Sequence, residues 1–284
     1  MGLENVSPAY GDVLYLMLGA LLLFLVFYLF SLWRGGGLGT GGRSTRDSRP
    51  RSGANLRPIP AYEATREGLA LAAETGRAIH TSPGTGVIGA GDIGTAATLA
   101  GMLVTESMSR VGAVTGAAIE ATTNDAIAYA LSDNAVRRGY RRAGWSVEGE
   151  SSEARFLTHN DPLAYVAAAS EVVAQKDVSQ AVMSGQFGPE VLLLMEAQRR
   201  TGARQIAGSS DSQGIAIIHI TADHTLIGEE IFASGAYLER RPSHTASLLA
   251  QDGLRWVLIA LVLAGFIAAN VIGLDWTSLF TFYP

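Results

Sequence analysis

The hydrophobic pattern divides the chain before any motif is considered. Val13 to Trp33 carries no charged residue and is bounded by Asp12 and Arg34. At ~1.5 Å per helical residue this run is about 31 Å long, enough to cross the hydrocarbon core of a bilayer. Tyr15, Tyr28 and Trp33 stand near its ends, where aromatic belts form. A second uncharged run, Trp256 to Leu274, lies between Arg255 and Asp275 and is about 28 Å long. The pattern predicts two transmembrane helices, at 13–33 and 254–274, with short tails at 1–12 and 275–284. The first is read as an uncleaved anchor, because its leader holds Glu4 and Asp12 and no basic residue.

Between the two runs the pattern alternates between short apolar stretches and helical periodicity. A helix is predicted at 61–76, with strands near 77–81, 114–121, 154–158, 178–184, 204–208 and 215–220. Helices are predicted at 95–110, 124–143, 162–175, 189–201 and 225–238. Asp161-Pro162 and Gly188-Pro189 read as helix starts, and Gly144 and Gly202 as left-handed helix ends. Such alternation predicts an α/β, Rossmann-like, mostly parallel sheet over 59–253, flanked by the two transmembrane helices.

Composition narrows the chemistry. Hydrophobic residues make up 48% and charged residues 17% of the 284, a charge deficit relative to the roughly 25% of soluble domains. The absence of cysteine excludes disulfides, thiolate metal sites and a cysteine nucleophile. Lys176 is the single lysine and is followed by Asp177, so the chain has no Gly-Lys-Ser/Thr phosphate loop. Residues 34–58 form a Gly/Arg-rich linker holding Arg34, Arg43, Arg46, Arg49, Arg51 and Arg57 against Asp47 alone. The positive-inside rule then places 34–255 in the cytoplasm and both termini outside an inner membrane. Anionic lipid is the expected partner of Arg43 to Arg57. The acidic balance of 59–253 argues against nucleic acid. Ala260, Ala264, Ala268 and Gly265, Ala269, Gly273 recur every fourth residue, a small-residue face suited to the first span or to a neighbouring subunit.

The sharpest candidate site is Gly84-Thr-Gly86-Val-Ile-Gly89, overlapping Gly89-Ala-Gly91-Asp-Ile-Gly94. This glycine spacing lets a backbone approach pyrophosphate at a helix start, with Glu120 as the acid for a ribose. The context fits partly. Glu120 lies further along than the roughly 20 residues usual for that acid, and the preceding strand is short and polar. A nucleotide or dinucleotide therefore competes with a plain glycine-rich turn, and the turn is favoured. The polar strand exits at 81–84, 122–125, 158–161, 184–188, 209–214 and 221–224 read first as helix caps and second as ligand contacts. Arg137, Arg138, Arg141 and Arg142 repel one another at i,i+4 spacing. They call for an acidic partner: Glu148, Glu150 and Glu153, a lipid head group, or another subunit. His159 with Asp161, and His219 with Asp223 and His224, are weak metal or acid–base candidates. Glu229-Glu230 reads as a helix-dipole pair. No catalytic set emerges, and no resident cofactor or metal is expected.

The stretches Ser184-Gly-Gln-Phe-Gly-Pro-Glu190, Arg204-Gln-Ile-Ala-Gly208 and Leu226-Ile-Gly-Glu-Glu-Ile-Phe-Ala-Ser-Gly-Ala-Tyr-Leu238 resemble an uncharacterised family of prokaryotic membrane-anchored proteins. The resemblance implies a two-span layout and no activity. The expectation is a non-enzymatic structural or assembly component, with a membrane-tethered nucleotide-binding enzyme or sensor as the alternative.

Overall fold

A computed structural model describes residues 8–34, 57–89, 93–144, 153–238 and 242–267. The chain divides into two compact units, Leu56–Arg240 and the two flanking segments, Met1–Asn55 with Arg241–Pro284.

The first unit is an α/β body. Its elements are α2 (Pro60–Thr75), β1 (Ala78–Gly84), α3 (Ile93–Thr115), β2 (Ile119–Thr123), α4 (Ala126–Ala143), β3 (Glu153–Phe156), α5 (Pro162–Gln175), β4 (Val178–Gln186), α6 (Val191–Arg200), β5 (Arg204–Ser209), α7 (Ser212–Thr221) and β6 (His224–Ile227). A 3₁₀ turn (Gly228–Ala233) and α8 (Ser234–Tyr237) follow. All strand pairs are parallel, and their order is β3-β2-β1-β4-β5-β6. This is the doubly wound order of dinucleotide-binding folds, whose switch point lies between β1 and β4.

One face of the sheet is covered by α5, α6 and α7. Tyr165, Val166 and Val173 of α5 pack with Met183 and Phe187, with Leu194 and Met195 of α6, and with Ile218 of α7. The other face carries α2, α3 and α4. There α3 lies so close to the switch point that a Cβ on Gly101 would overlap the Ser184 carbonyl and crowd Pro83.

Two predicted elements are exchanged. Residues 215–220, expected as a strand, lie in α7, and 225–238, expected as a helix, begins with β6. The apolar run Ile215-Ala-Ile-Ile-His-Ile has no polar alternation to distinguish helix from strand. Asp211 decides it by accepting the Gln213 and Gly214 amides at 2.9 and 3.0 Å, which starts a helix. The strand expected at 114–121 begins only at Ile119, because α3 continues to Thr115 before Gly116 turns the chain at φ +82°.

The second unit holds α1 (Pro8–Arg34) and α9 (Pro242–Ile267), which pack on each other. Leu23, Phe24, Phe27 and Tyr28 are half-buried, and Gly253 of α9 lies against the Phe27 ring. Among the described residues one helical segment, Ser243–Gly265, is long and apolar enough to cross a membrane; in α1 the described apolar stretch is Met17–Phe30. Ala260 and Ala264 are exposed and nothing lies close to Gly265, so this part of the small-residue face is not what α1 uses. Ala268, Ala269 and Gly273 lie outside the described residues, as do Arg43 to Arg51 of the linker.

Candidate functional site

The carboxyl edge of the sheet gathers the exits of β1 to β5, and its centre is the switch point. There β1 and β4 stay paired to their last residues. Gly84 is opposite Gln186, and the Thr85 amide donates to the Gln186 carbonyl at 2.7 Å. Gly84 has φ +99°, and a Cβ on it would overlap the Gln186 backbone. Three glycines of the candidate phosphate loop, Gly84, Gly86 and Gly94, thus meet the chain itself. The Gln186 carboxamide occupies the space that side chains on Gly86 and Gly94 would need, beside Thr98. Gly89 takes φ +98° in open space, which identifies it as a turn residue. Gly91 lies outside the described residues.

Glu120 is not part of this arrangement. It is the second residue of β2, opposite His80, and so about 13 Å along the strand direction from Gly84. It was expected at a strand's end and lies at its beginning. It is buried at the amino edge, with Lys176 Nζ at 3.1 Å and Arg155 Nε at 3.3 Å. Burial pushes its carboxyl upward, and the two cations oppose that shift. Arg155 also holds Glu153 at 2.6 Å.

The exits are capped from within. Asp125 accepts the Ile127 and Ala128 amides at 3.0 and 2.9 Å, and Asp161 accepts the Ala164 amide at 3.0 Å. Glu190 accepts the Gly188 amide at 2.9 Å and the Thr85 hydroxyl at 3.0 Å. Asn124 donates to the Thr85 carbonyl at 3.1 Å and accepts the Thr158 hydroxyl at 2.7 Å. This chain of contacts fastens the exits of β4, β1, β2 and β3 to one another. Residues 221–224, expected as an exit, lead into β6 and lie at the opposite edge, where Asp223 accepts the Gln205 amide at 2.7 Å. His219 is on α7, and His159 is exposed beside Phe156. Among the described residues no group of three His, Asp or Glu could hold a metal ion.

Two further features were not read from the sequence. The first is a buried polar chain behind the switch point. His80 Nε2 lies 2.8 Å from the Thr122 hydroxyl, which lies 2.8 Å from the Tyr165 hydroxyl, which lies 2.6 Å from the Ser82 hydroxyl. Gln198 Nε2 closes on His80 Nδ1 at 3.3 Å. Burial lowers the His80 imidazole to about 4 and raises the Tyr165 phenol to about 12. The polarity of the first strand, at odds with an apolar inner strand, was the signal. His80 and Ser82 are buried there with partners.

The second is a charge pattern. The exit segments 82–93, 122–130, 156–166, 184–195 and 209–217 contain one acid each, Asp92, Asp125, Asp161, Glu190 and Asp211, and no lysine or arginine. A helix amino terminus contributes about +0.5 and a carboxylate −1, so the exits capped by Asp125, Asp161, Glu190 and Asp211 each net about −0.5. That field does not attract phosphate.

A cleft of about 170 Å³ between α2 and α3 is lined by Arg66, Leu69, Ser107, Met108, Val111 and Leu238, below the roughly 300 Å³ at which ligand pockets begin.

The family model described as a domain of unknown function, DUF6754, matches residues 43–280. The chain belongs to that family. Comparison with curated proteins and with solved structures gives no match. The DUF6754 match takes in the whole α/β body and all of α9, so the closed switch point and the capped exits lie within the family's domain.

Proposed function

We propose that the protein is a membrane-tethered assembly component: an α/β body on the cytoplasmic side, held by two spans and associating with further copies of itself. The observation that carries this reading is that the two ends of the body meet. The Tyr237 hydroxyl donates to the Arg57 carbonyl at 2.6 Å, and the Tyr62 and Tyr237 rings stack at 5.3 Å. Arg57 also reaches Glu230 at 2.7 Å, and the Tyr62 hydroxyl donates to the Glu230 carbonyl at 2.6 Å. A body whose ends leave from one point is suited to insertion between two side-by-side spans, and α1 and α9 do pack together. The exposed Ala260 and Ala264 support contact with a neighbour.

Particle mass in mild detergent tests the reading. A multiple of 29.9 kDa is expected, and a strict monomer at every concentration would remove self-association. Protease added outside intact cells should leave residues 59–253 uncut; cleavage there would invert the orientation.

The strand order and the glycine loop at its switch point favour a second reading, a nucleotide or dinucleotide site. The Gln186 carboxamide and the acid at each exit weigh against it. Thermal shift with NAD(P) and ATP, with Gly86→Val as control, decides between them. Stabilisation that the variant loses would establish the site.

A further inference from the structure

The acidic exits are also apolar. Ile127 and Tyr129 of α4, Phe156 of β3, Leu163 of α5, and Leu192 and Leu193 of α6 are exposed large side chains at this edge. The Tyr129 and Phe156 rings are 6.2 Å apart, and α5 packs on α6. Charge and apolar surface together define a face for a basic partner with some apolar area.

The chain carries arginines at its opposite pole. Helix α4 starts at the acidic edge with Asp125 and runs away from it, so its arginines lie ~15 Å or more from Ala126. Arg137 is half-exposed and held by Asp133 at 2.7 Å, and Arg138 is half-exposed with Glu106 at 3.7 Å. Arg141 is exposed and has no ion partner among the described residues. The exit acids and Arg141 sit at two ends of one rigid helix, so they cannot neutralise each other within one copy. Between copies they can.

We infer that the body associates head to tail, the arginine-bearing end of α4 in one copy seating on the exits of β2, β3 and β4 in the next. This deepens the assembly reading and rests on it. The contact joins two different surfaces, so repetition closes a ring or extends a filament. Association weakens with salt, because the charges at the rim are screened.

Sedimentation of the full chain in mild detergent, at low and high salt, tests this with three variants. Arg141→Glu and Leu163→Arg each place a like charge at the contact and should weaken association about tenfold. Asp161→Asn removes a charge while keeping a good cap, and should weaken it less. Mixing Arg141→Glu with Leu163→Arg restores one matched contact per pair, so heterodimers should form where neither variant self-associates. Circular dichroism establishes that each variant is folded. Association indifferent to all three variants would overturn the head-to-tail contact while leaving self-assembly standing. A monomer throughout would overturn both.

Discussion

The Tyr237 hydroxyl donates to the carbonyl of Arg57 across 180 residues of chain, at 2.6 Å. This contact makes the α/β body a loop whose beginning and end coincide. Tyr62 stacks on Tyr237 and is itself buried, with its phenol pushed upward by burial, then by Glu230 and Tyr237. Tyr237→Phe should cost about 1 kcal/mol, the net worth of one such hydrogen bond. Tyr237→Ala should cost roughly 3 kcal/mol by losing the ring as well. Urea unfolding of the body measures both.

His80 gives the body an acid limit. Its imidazole is held neutral to about pH 4 in the fold, against 6.5 for an exposed imidazole. The unfolded chain therefore binds the proton first as pH falls. The contribution is intact above about pH 6.5 and is lost progressively down to pH 4, amounting to about 3 kcal/mol. Denaturant midpoints should fall through that window, and His80→Gln should flatten the slope. An unchanged slope in the variant would place the titration elsewhere.

Tyr165→Phe removes the middle of the buried chain and leaves the Ser82 and Thr122 hydroxyls short of a partner. A loss of about 1–3 kcal/mol follows from a buried hydrogen-bonding group left unmade. Ser82→Ala in the same background should recover part of it, and a double-mutant cycle by urea unfolding checks the coupling.

Lys176→Met leaves the buried Glu120 carboxylate with Arg155 as its remaining cation. The Glu120→Gln exchange, which removes the charge that needs neutralising, should be milder than Lys176→Met, by about 1 kcal/mol or more. Neither should change any nucleotide-dependent thermal shift, since Glu120 lies at the amino edge. Such a change would reopen its assignment to a ligand.

Gly101→Ala probes the closed switch point. The added methyl meets the Ser184 carbonyl, which is backbone held in β4 and cannot step aside. A loss above about 3 kcal/mol, or failure to fold, is expected on overpacking grounds. Gly89→Ala is strained only by its positive φ and should cost about 1 kcal/mol. Comparing their melting temperatures separates close packing from turn geometry.

Periodicity alone determined the α/β class, the parallel sheet, most element boundaries and the apolar character of both flanking segments. Helix caps such as Asp125, Asp161 and Asp211 were legible because an acid satisfies helix amides locally, within three residues. Tertiary structure decided what depends on distant neighbours. A short apolar run such as 215–220 carries no period of its own, and it is a helix because Asp211 caps it and it crosses between the parallel strands β5 and β6. Gly84, Gly86 and Gly94 carry a phosphate-loop spacing, yet only the placement of Gln186, about a hundred residues away in sequence, shows what fills the space beside them. Glu120 changed ends because a strand's start is fixed by where the preceding helix stops. The separation of acidic exits from the arginine end of α4 is written in the sequence residue by residue. It becomes a polarity only when five parallel strands aim their exits the same way.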